Sequence, residues 1–189
     1  MHTEYEVRVL EIDKEKLEKK LKELGANKVA DYDYRRRVYN FHPETPHKWI
    51  RLRTDGNKTT LTIKKLESSE IDGTKEMEIE VSNFDETDKM LNELGYKSHT
   101  YQENRRTRYI LDNVEIDIDS WPYIPTYLEI EGKSVEDVEK TIEKLEVDKS
   151  KVTSIDVQGV FKKFYNIEIS NVPVVKFDEP LDKKYYINN

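Results

Sequence analysis

Glu4-Tyr5-Glu6-Val7-Arg8 places Glu4, Glu6 and Arg8 on one parity and Tyr5, Val7 and the following Val9 on the other. Successive side chains of a strand point to opposite faces, so the stretch predicts a strand with one ionic and one apolar face. The same grammar recurs along the chain. Ile50 and Leu52 alternate with Arg51 and Arg53, and Leu61 and Ile63 with Thr60, Thr62 and Lys64. Met77, Ile79 and Val81 alternate with Glu76, Glu78 and Glu80. Val114, Ile116 and Ile118 alternate with Glu115, Asp117 and Asp119, and Leu128 and Ile130 with Glu129 and Glu131. A charged face on an antiparallel strand is ordinarily a solvated one. Here, however, like charges recur two apart on one face, where they repel unless opposite charges or metal ions compensate them.

Between these strands the punctuation is regular. Asp13 is an N-cap for a helix carrying Leu17, Leu21 and Leu24, stopped by Gly25. Asn27 to Phe41 is a long strand, His42 to Pro46 a loop, and Asp55-Gly56 a hairpin turn between Trp49–Thr54 and Lys58–Leu66. A second helix, Asp85 to Leu94, directs Met90, Leu91 and Leu94 inward and stops at Gly95. Thr100 to Leu111 and Val114 to Ser120 pair across Asp112-Asn113. Val138, Ile142 and Leu145 mark a third helix; Val157, Val160, Phe161 and Phe164 mark a fourth, apolar enough to pack on the sheet exterior or across a mouth. Val172 to Phe177 reads as an extended segment lying on the barrel or on a second chain, and the last few residues as mobile.

The order is a duplication. Strand, helix, Leu-Gly, long strand, hairpin occupies 3–66 and again 75–131. Arg35, Arg36 and Tyr39 match Arg105, Arg106 and Tyr109 seventy residues on, and Glu4-x-Glu6 is matched to Glu78-x-Glu80. Two such halves predict an α+β fold built on one closed or nearly closed antiparallel sheet of about eight strands, since closure removes exposed edges. The helices have only the apolar faces to pack on, so they lie outside and the ionic faces point inward.

Composition bounds the function. The 189 residues are 38% charged and 35% hydrophobic, carry a net charge of -7 and contain no cysteine. Disulfides and thiolate metal sites are excluded, and the acidic balance argues against a nucleic-acid partner. No apolar run reaches membrane-span length, so a cytoplasmic protein without a membrane partner is expected. His42, His47 and His99 are scattered and read as surface residues, His2 as a terminal-strand residue without a role, Trp49 and Trp121 as packing residues, and the lysines of 14–23 as a solvated face. Paired carboxylates without cysteine suit hard cations such as Mg²⁺ or Mn²⁺. Arginines and lysines opposite them suit phosphate oxygens. Together they describe a polyphosphate held between cationic side chains and metal, with two metals roughly 3.5–4 Å apart able to act on one phosphoryl group.

These residues resemble the CYTH domain, the triphosphate tunnel metalloenzyme family of class IV adenylyl cyclases, thiamine triphosphatases and inorganic triphosphatases. Glu4-x-Glu6-x-Arg8 is similar to its Glu-x-Glu-x-Lys signature, with arginine for lysine. Ile50-Arg51-Leu52-Arg53, Leu61-Thr62-Ile63-Lys64, Glu78-Ile79-Glu80, Arg105-Arg106-Thr107-Arg108-Tyr109, and Asp119 followed by a turn and Glu129-Ile130-Glu131 continue the resemblance in order, over residues 2 to about 167. The resemblance implies an eight-stranded tunnel. It implies metal-side carboxylates at Glu4, Glu6, Asp119, Glu129 and Glu131, and a triphosphate clamp of Arg8, Arg51, Arg53, Lys64, Arg106 and Arg108. Glu4, Glu6 and Arg8 are then the catalytic group, supported by Glu78, Glu80, Asp117 and Arg37. Two departures stand out: Arg8 cannot serve as a proton-transfer base, and Trp121-Pro122-Tyr123-Ile124-Pro125 fills the turn where the family has a glycine.

The tunnel domain is thus expected over 1–167, with a C-terminal extension over 168–189. The expected activity is metal-dependent hydrolysis of inorganic triphosphate, thiamine triphosphate or a nucleoside triphosphate. Cyclisation of ATP to cyclic AMP, or non-catalytic polyphosphate or nucleotide binding, are the alternatives. The partner is a triphosphate-containing small molecule, with a homodimer admitted. Residues 170–189 hold no clamp or metal residue, so their deletion is expected to leave turnover within a few-fold.

Overall fold

In the computed structural model, which describes residues 1–187, the chain forms a closed eight-stranded antiparallel β-barrel with helices and two short strands around it. The first half contributes β1 (His2–Val9), α1 (Lys14–Glu23), β2 (Asn27–Asn40), β3 (Lys48–Thr54) and β4 (Thr59–Leu66). The second contributes β5 (Thr74–Val81), α2 (Phe84–Glu93), β6 (Ser98–Leu111), β7 (Val114–Ser120) and β8 (Tyr127–Gly132). Then follow α3 (Val135–Leu145), β9 (Val152–Thr153), α4 (Val157–Tyr165) and β10 (Val174–Val175). Around the barrel the order is β6-β2-β3-β4-β5-β1-β8-β7, and β7 pairs back onto β6.

Local chemistry sets these boundaries. Asp13 caps α1 through a bond from the Lys16 amide at 3.1 Å, and Asn83 caps α2 through the Glu86 amide at 2.9 Å. Gly25 and Gly95 follow the two helices at φ 75° and 90°, a conformation in which a side chain costs energy. Asp112 and Asn113 both take positive φ in the two-residue turn that the β6–β7 twist demands.

The duplication is visible in the register. Glu4 pairs with Thr74 and Tyr34 with Asn104, both exactly one repeat of seventy residues apart. A local two-fold therefore runs through both strand pairs. At that offset Glu6 corresponds to Glu76 and Arg8 to Glu78, so the match of Glu4-x-Glu6 to Glu78-x-Glu80 is corrected.

The exterior is covered unevenly. α1 and α3 pack Leu17, Leu21, Val138, Ile142 and Leu145 onto Val7, Ile116, Leu128 and Ile130. α2 covers β2 and β3 with Phe84 and Leu91, against Tyr39, Ile50 and Leu52. Met90 and Leu94, expected inward, are 66% and 68% exposed, because the helix begins at Phe84 and turns the Phe84/Leu91 stripe to the sheet. Met77 and Ile79 on the outer face of β5 also stay largely exposed, since no helix reaches them. α4 joins Val160 and Phe161 to Leu10, Trp121, Tyr127, Ile169, Val172 and Val175 in a third cluster. Phe164, placed on the same stripe by spacing, is exposed instead.

The tail is extended as expected. β10 pairs parallel with β6, and the Thr100 hydroxyl donates to the Val172 carbonyl at 2.7 Å. Ile187 is tied back, its amide donating to the Asn166 carbonyl at 2.7 Å; the expectation of mobility at Asn188 and Asn189 lies outside the described residues.

Phe161 and Phe164 test this packing. Phe161→Ala is expected to cost about 3–5 kcal/mol, the usual loss for a buried aromatic, whereas Phe164→Ala stays within about 0.5 kcal/mol. Urea unfolding of the two variants checks it; equal losses would mean that α4 is rotated.

Candidate active site

The inward faces of the barrel enclose a cavity of about 280 Å³, lined by Glu4, Glu6, Arg8, Arg51, Arg53, Lys64, Glu78, Arg106, Arg108, Asp119, Glu129 and Glu131 together. Alternation on each strand puts them there, because their apolar neighbours face the helices. Asp117 is buried beside the cavity and bonds to the guanidinium groups of Arg106 and Arg108. Two expected residues point elsewhere. Arg37 lies on the outer face, its Nε 3.1 Å from Asp88 of α2. Glu80 sits at the exposed end of β5, 3.4 Å from Lys58.

The charges form two walls. In the ring order, β3 lies four strands from β8, and β2 four strands from β1, so these pairs face each other across the lumen. One wall carries Arg36 of β2, Arg51 and Arg53 of β3, and Lys64 of β4. The other carries Glu4 and Glu6 of β1, Glu129 and Glu131 of β8, and Asp117 and Asp119 of β7.

The intervening strands neutralise each wall in part. From β5, Glu76 lies 2.9 Å from the Lys64 ammonium and 3.5 Å from Arg51. From β6, Arg106 reaches Asp117 and Asp119 at 2.5 Å each and Glu129 at 2.9 Å. Arg108 reaches Asp117 at 2.6 Å and Glu115 at 2.5 Å. Arg8 holds Glu6 at 3.1 Å and Glu129 at 2.7 Å, and donates to the Ile155 carbonyl at 2.8 Å. Arg106 and Arg108, expected on the clamp, thus direct their donors into the acidic wall.

What remains unbalanced is informative. Arg36 is buried, donates to Asn104 and stacks over Trp121, but has no carboxylate within ion-pair distance among the described residues. Arg53 comes no closer to a carboxylate than 3.8 Å, at Glu78. The Nε atoms of Arg36 and Arg51 are buried without an acceptor. Burial, then the neighbouring guanidinium groups, weakens the hold of Arg36 on its proton and lowers the pKa of Arg53 to about 10. These three arginines repel one another where water cannot screen them, and an anion would relieve them.

On the facing wall, Glu131 has no basic partner among the described residues. Burial, then Glu4, Glu129, Glu6 and Glu115, pushes its pKa up to about 8. Burial also raises Glu4; Lys64 opposes it, Glu6 and Glu76 add to it, and the result is about 7. Burial disfavours ionised Glu129 too, but Arg8 and Arg106 outweigh it and hold that carboxyl well below the usual range. An all-oxygen donor set with surplus negative charge fits a hard divalent cation.

Arg36, Glu76 and Glu115 are among the cavity residues that motif reading missed; Trp49 and Trp121, read as packing residues, line the cavity as well. Two of them were accessible: Arg36 is Arg106 less seventy, and Glu76 is Glu6 plus seventy. His2, read as having no role, stands with ligand atoms of Glu4 and Glu76 within 4.8 Å of one another, although the Lys64 ammonium already bridges those two glutamates at 2.9 Å. One end of the cavity is capped by Val157, Gln158 and Phe161 of α4 and by Ile169, over Trp121 and Tyr127.

A closed barrel with opposed cationic and anionic walls defines a class, and the comparisons with known proteins agree. The CYTH domain family model matches residues 2–160, and the chain belongs to that family. No curated protein matches its sequence. Among solved structures, a protein of Pyrococcus horikoshii OT3 is 22% identical with a TM-score of 0.70, covering 81% of this chain and 96% of its own. A Vibrio parahaemolyticus protein, described as a suspected adenylate cyclase, is 12% identical with a TM-score of 0.72, covering 85% and 98%. A Hippeastrum protein, considered an adenylyl cyclase but with a dominant triphosphatase activity, is 14% identical with a TM-score of 0.56, covering 86% and 96%. At these identities the likeness shows the fold alone. No described helix is long and apolar enough to cross a membrane.

The raised carboxyls give a pH signature. A folded pKa above the unfolded one means that the folded state holds more protons, so stability falls as pH rises between the two values. For Glu131 that window runs from its ordinary 4.5 to about 8. The metal-free protein should therefore lose melting temperature across this window, less so in Glu131→Gln, and Mn²⁺ should restore it at the alkaline end. Thermal melts of both proteins check this, and a slope unchanged in Glu131→Gln would clear that residue of the effect.

Proposed function

We propose that this protein is a divalent-cation-dependent triphosphatase that binds its substrate along the cationic wall and cleaves the terminal phosphoryl group against the acidic one. The observation that carries the reading is the trio Arg36, Arg51 and Arg53 facing a wall of surplus carboxylates: Arg36 is buried with no carboxylate in ion-pair distance among the described residues, and Arg51 and Arg53, largely shielded from water, come no closer to one than 3.5 and 3.8 Å. Inorganic triphosphate, thiamine triphosphate and nucleoside triphosphates share the chain of oxygens this arrangement would recognise.

In this reading Arg36, Arg51, Arg53 and Lys64 clamp the phosphate oxygens, and bidentate guanidinium contacts fix the chain in register. Glu4, Glu6, Glu129 and Glu131 would hold the cation, with Asp119 beside them. When bound, Mg²⁺ or Mn²⁺ supplies positive charge at the phosphoryl oxygens and acidifies water. Water attacks the terminal phosphorus, the bridging P–O bond breaks toward the remaining phosphates, and a proton passes to a carboxylate. Arg8 cannot take that proton, since its guanidinium stays charged. Arg106 and Arg108 act by holding Asp117, Asp119 and Glu129 in place. The molecule is proposed to work in the cytoplasm as one tunnel domain.

Turnover of tripolyphosphate, thiamine triphosphate and ATP with Mg²⁺ or Mn²⁺ tests the activity, and a chelator should abolish it. No phosphate release from any of the three would leave a binding module. Arg36→Ala and Arg53→Ala should each weaken triphosphate binding by about 1.5–3 kcal/mol, the worth of a charge-assisted contact. Arg37→Ala, on the outer face, should not. Calorimetry showing all three alike would move the clamp off this wall.

A further inference from the structure

β2 outruns β3. Arg35 is the last β2 residue paired with β3, opposite Thr54, while β2 continues against β6 for eight more residues toward its start. Beyond the β3–β4 turn, β2 therefore has a free edge and forms a lip at the barrel mouth. Tyr32 and Tyr34 stand on that lip with the lumen-facing parity of Arg36. Their rings are stacked, centroids 5.3 Å apart and planes within 10°. The Arg53 guanidinium lies 4.6 Å above the Tyr34 ring. Tyr34 thus packs against both a clamp arginine and Tyr32, and both tyrosines are only partly buried.

This arrangement is more than mouth filling. A solvent-facing position needs no aromatic ring, and two successive ones expose apolar surface at a site otherwise lined with charge. Aromatic rings beside a phosphate-binding groove are what planar heterocycles stack on, because every such ring has a π-face to offer. Tripolyphosphate has nothing to place there. A triphosphate bound with its terminal phosphoryl group deep in the cavity would leave its organic end at the mouth, where Arg53 meets the α-side of the chain.

We propose that Tyr32 and Tyr34 form a stacking platform for a planar heterocycle, so that the substrate is an organic triphosphate, such as a nucleoside triphosphate, rather than inorganic triphosphate. The inference rests on the phosphate-clamp reading above. It assigns the specificity to the lip, outside the charged motifs, and leaves the clamp to recognise what all triphosphates share.

Calorimetry with the intact protein and two non-cleavable probes, β,γ-methylene-ATP and bis(methylene)triphosphonate, separates the two readings. The nucleotide probe should bind about tenfold or more tightly than the triphosphonate, in keeping with one stacked base. Tyr32→Ala should erase that advantage while leaving the triphosphonate within about twofold, and Tyr32→Phe should retain it, because stacking needs the ring and not the hydroxyl. Equal affinity for the two probes in the wild type, or an equal loss for both in Tyr32→Ala, would overturn the platform and leave the clamp standing. Failure of the wild type to bind either probe would overturn the clamp and the platform together. Thiamine triphosphate competing as well as the adenine probe would support the platform and make it a reader of flat rings in general.

Discussion

Closing the sheet turns the polar face of eight strands into a lumen, and a lumen cannot dilute charge with bulk water. Every ionic side chain on the inner parity must then find compensation from another strand or from something bound. The fold meets this locally, by interleaving strands of opposite sign. β5 sets Glu76 against Lys64 and Arg51, and β6 sets Arg106 against Asp117, Asp119 and Glu129. Compensation reaches Lys64 on one wall and Asp117, Asp119 and Glu129 on the other, but leaves Arg36 and Arg53, and across from them Glu131, without a close counter-ion among the described residues. The site lies where it fails.

That incompleteness separates residues of the same chemical type. Arg106 and Arg36 are equivalent under the seventy-residue repeat, yet Arg106 is held by three carboxylates and Arg36 by an amide oxygen and an indole face. Burial costs both, but neighbouring carboxylates reverse the effect for Arg106 and neighbouring arginines deepen it for Arg36. The symmetry of the repeat is therefore broken electrostatically: β2, β3 and β4 present cations, while Arg106 of β6 organises the carboxylates of β7 and β8 beside those of β1.

Much of this could be read from alternation alone, because strand parity is rigid: once Glu6 is inside, Val7 cannot be. That fixed the inward set, the helices on the outer face and the closed topology. Arg37 and Glu80 show where the reasoning stops. Arg37 shares a run of three arginines in which composition gives no parity, and only pairing with β3 decides that Arg36 faces in. Glu80 keeps the inner parity, but β5 ends there, and a correct face beyond the end of the barrel is solvent. Helix faces were less legible than strand faces. Met90, Leu94 and Phe164 each fit an apolar stripe, and one turn of difference in helix start or tilt put them in water.

The C-terminal segment carries the same lesson into the architecture. It holds no charged motif residue, so motif order marks the end of the domain near residue 167. Packing does not respect that boundary. Ile169, Val172 and Val175 are buried with Trp121, Tyr127 and Phe161, and Ile169 lines the cavity beside α4. The turn through Trp121 and Pro125 places bulky apolar side chains at this end of the barrel, and the tail covers them. With one end capped by α4 and the tail, the lip of β2 stands at the other, and in the proposed reading a triphosphate would enter there.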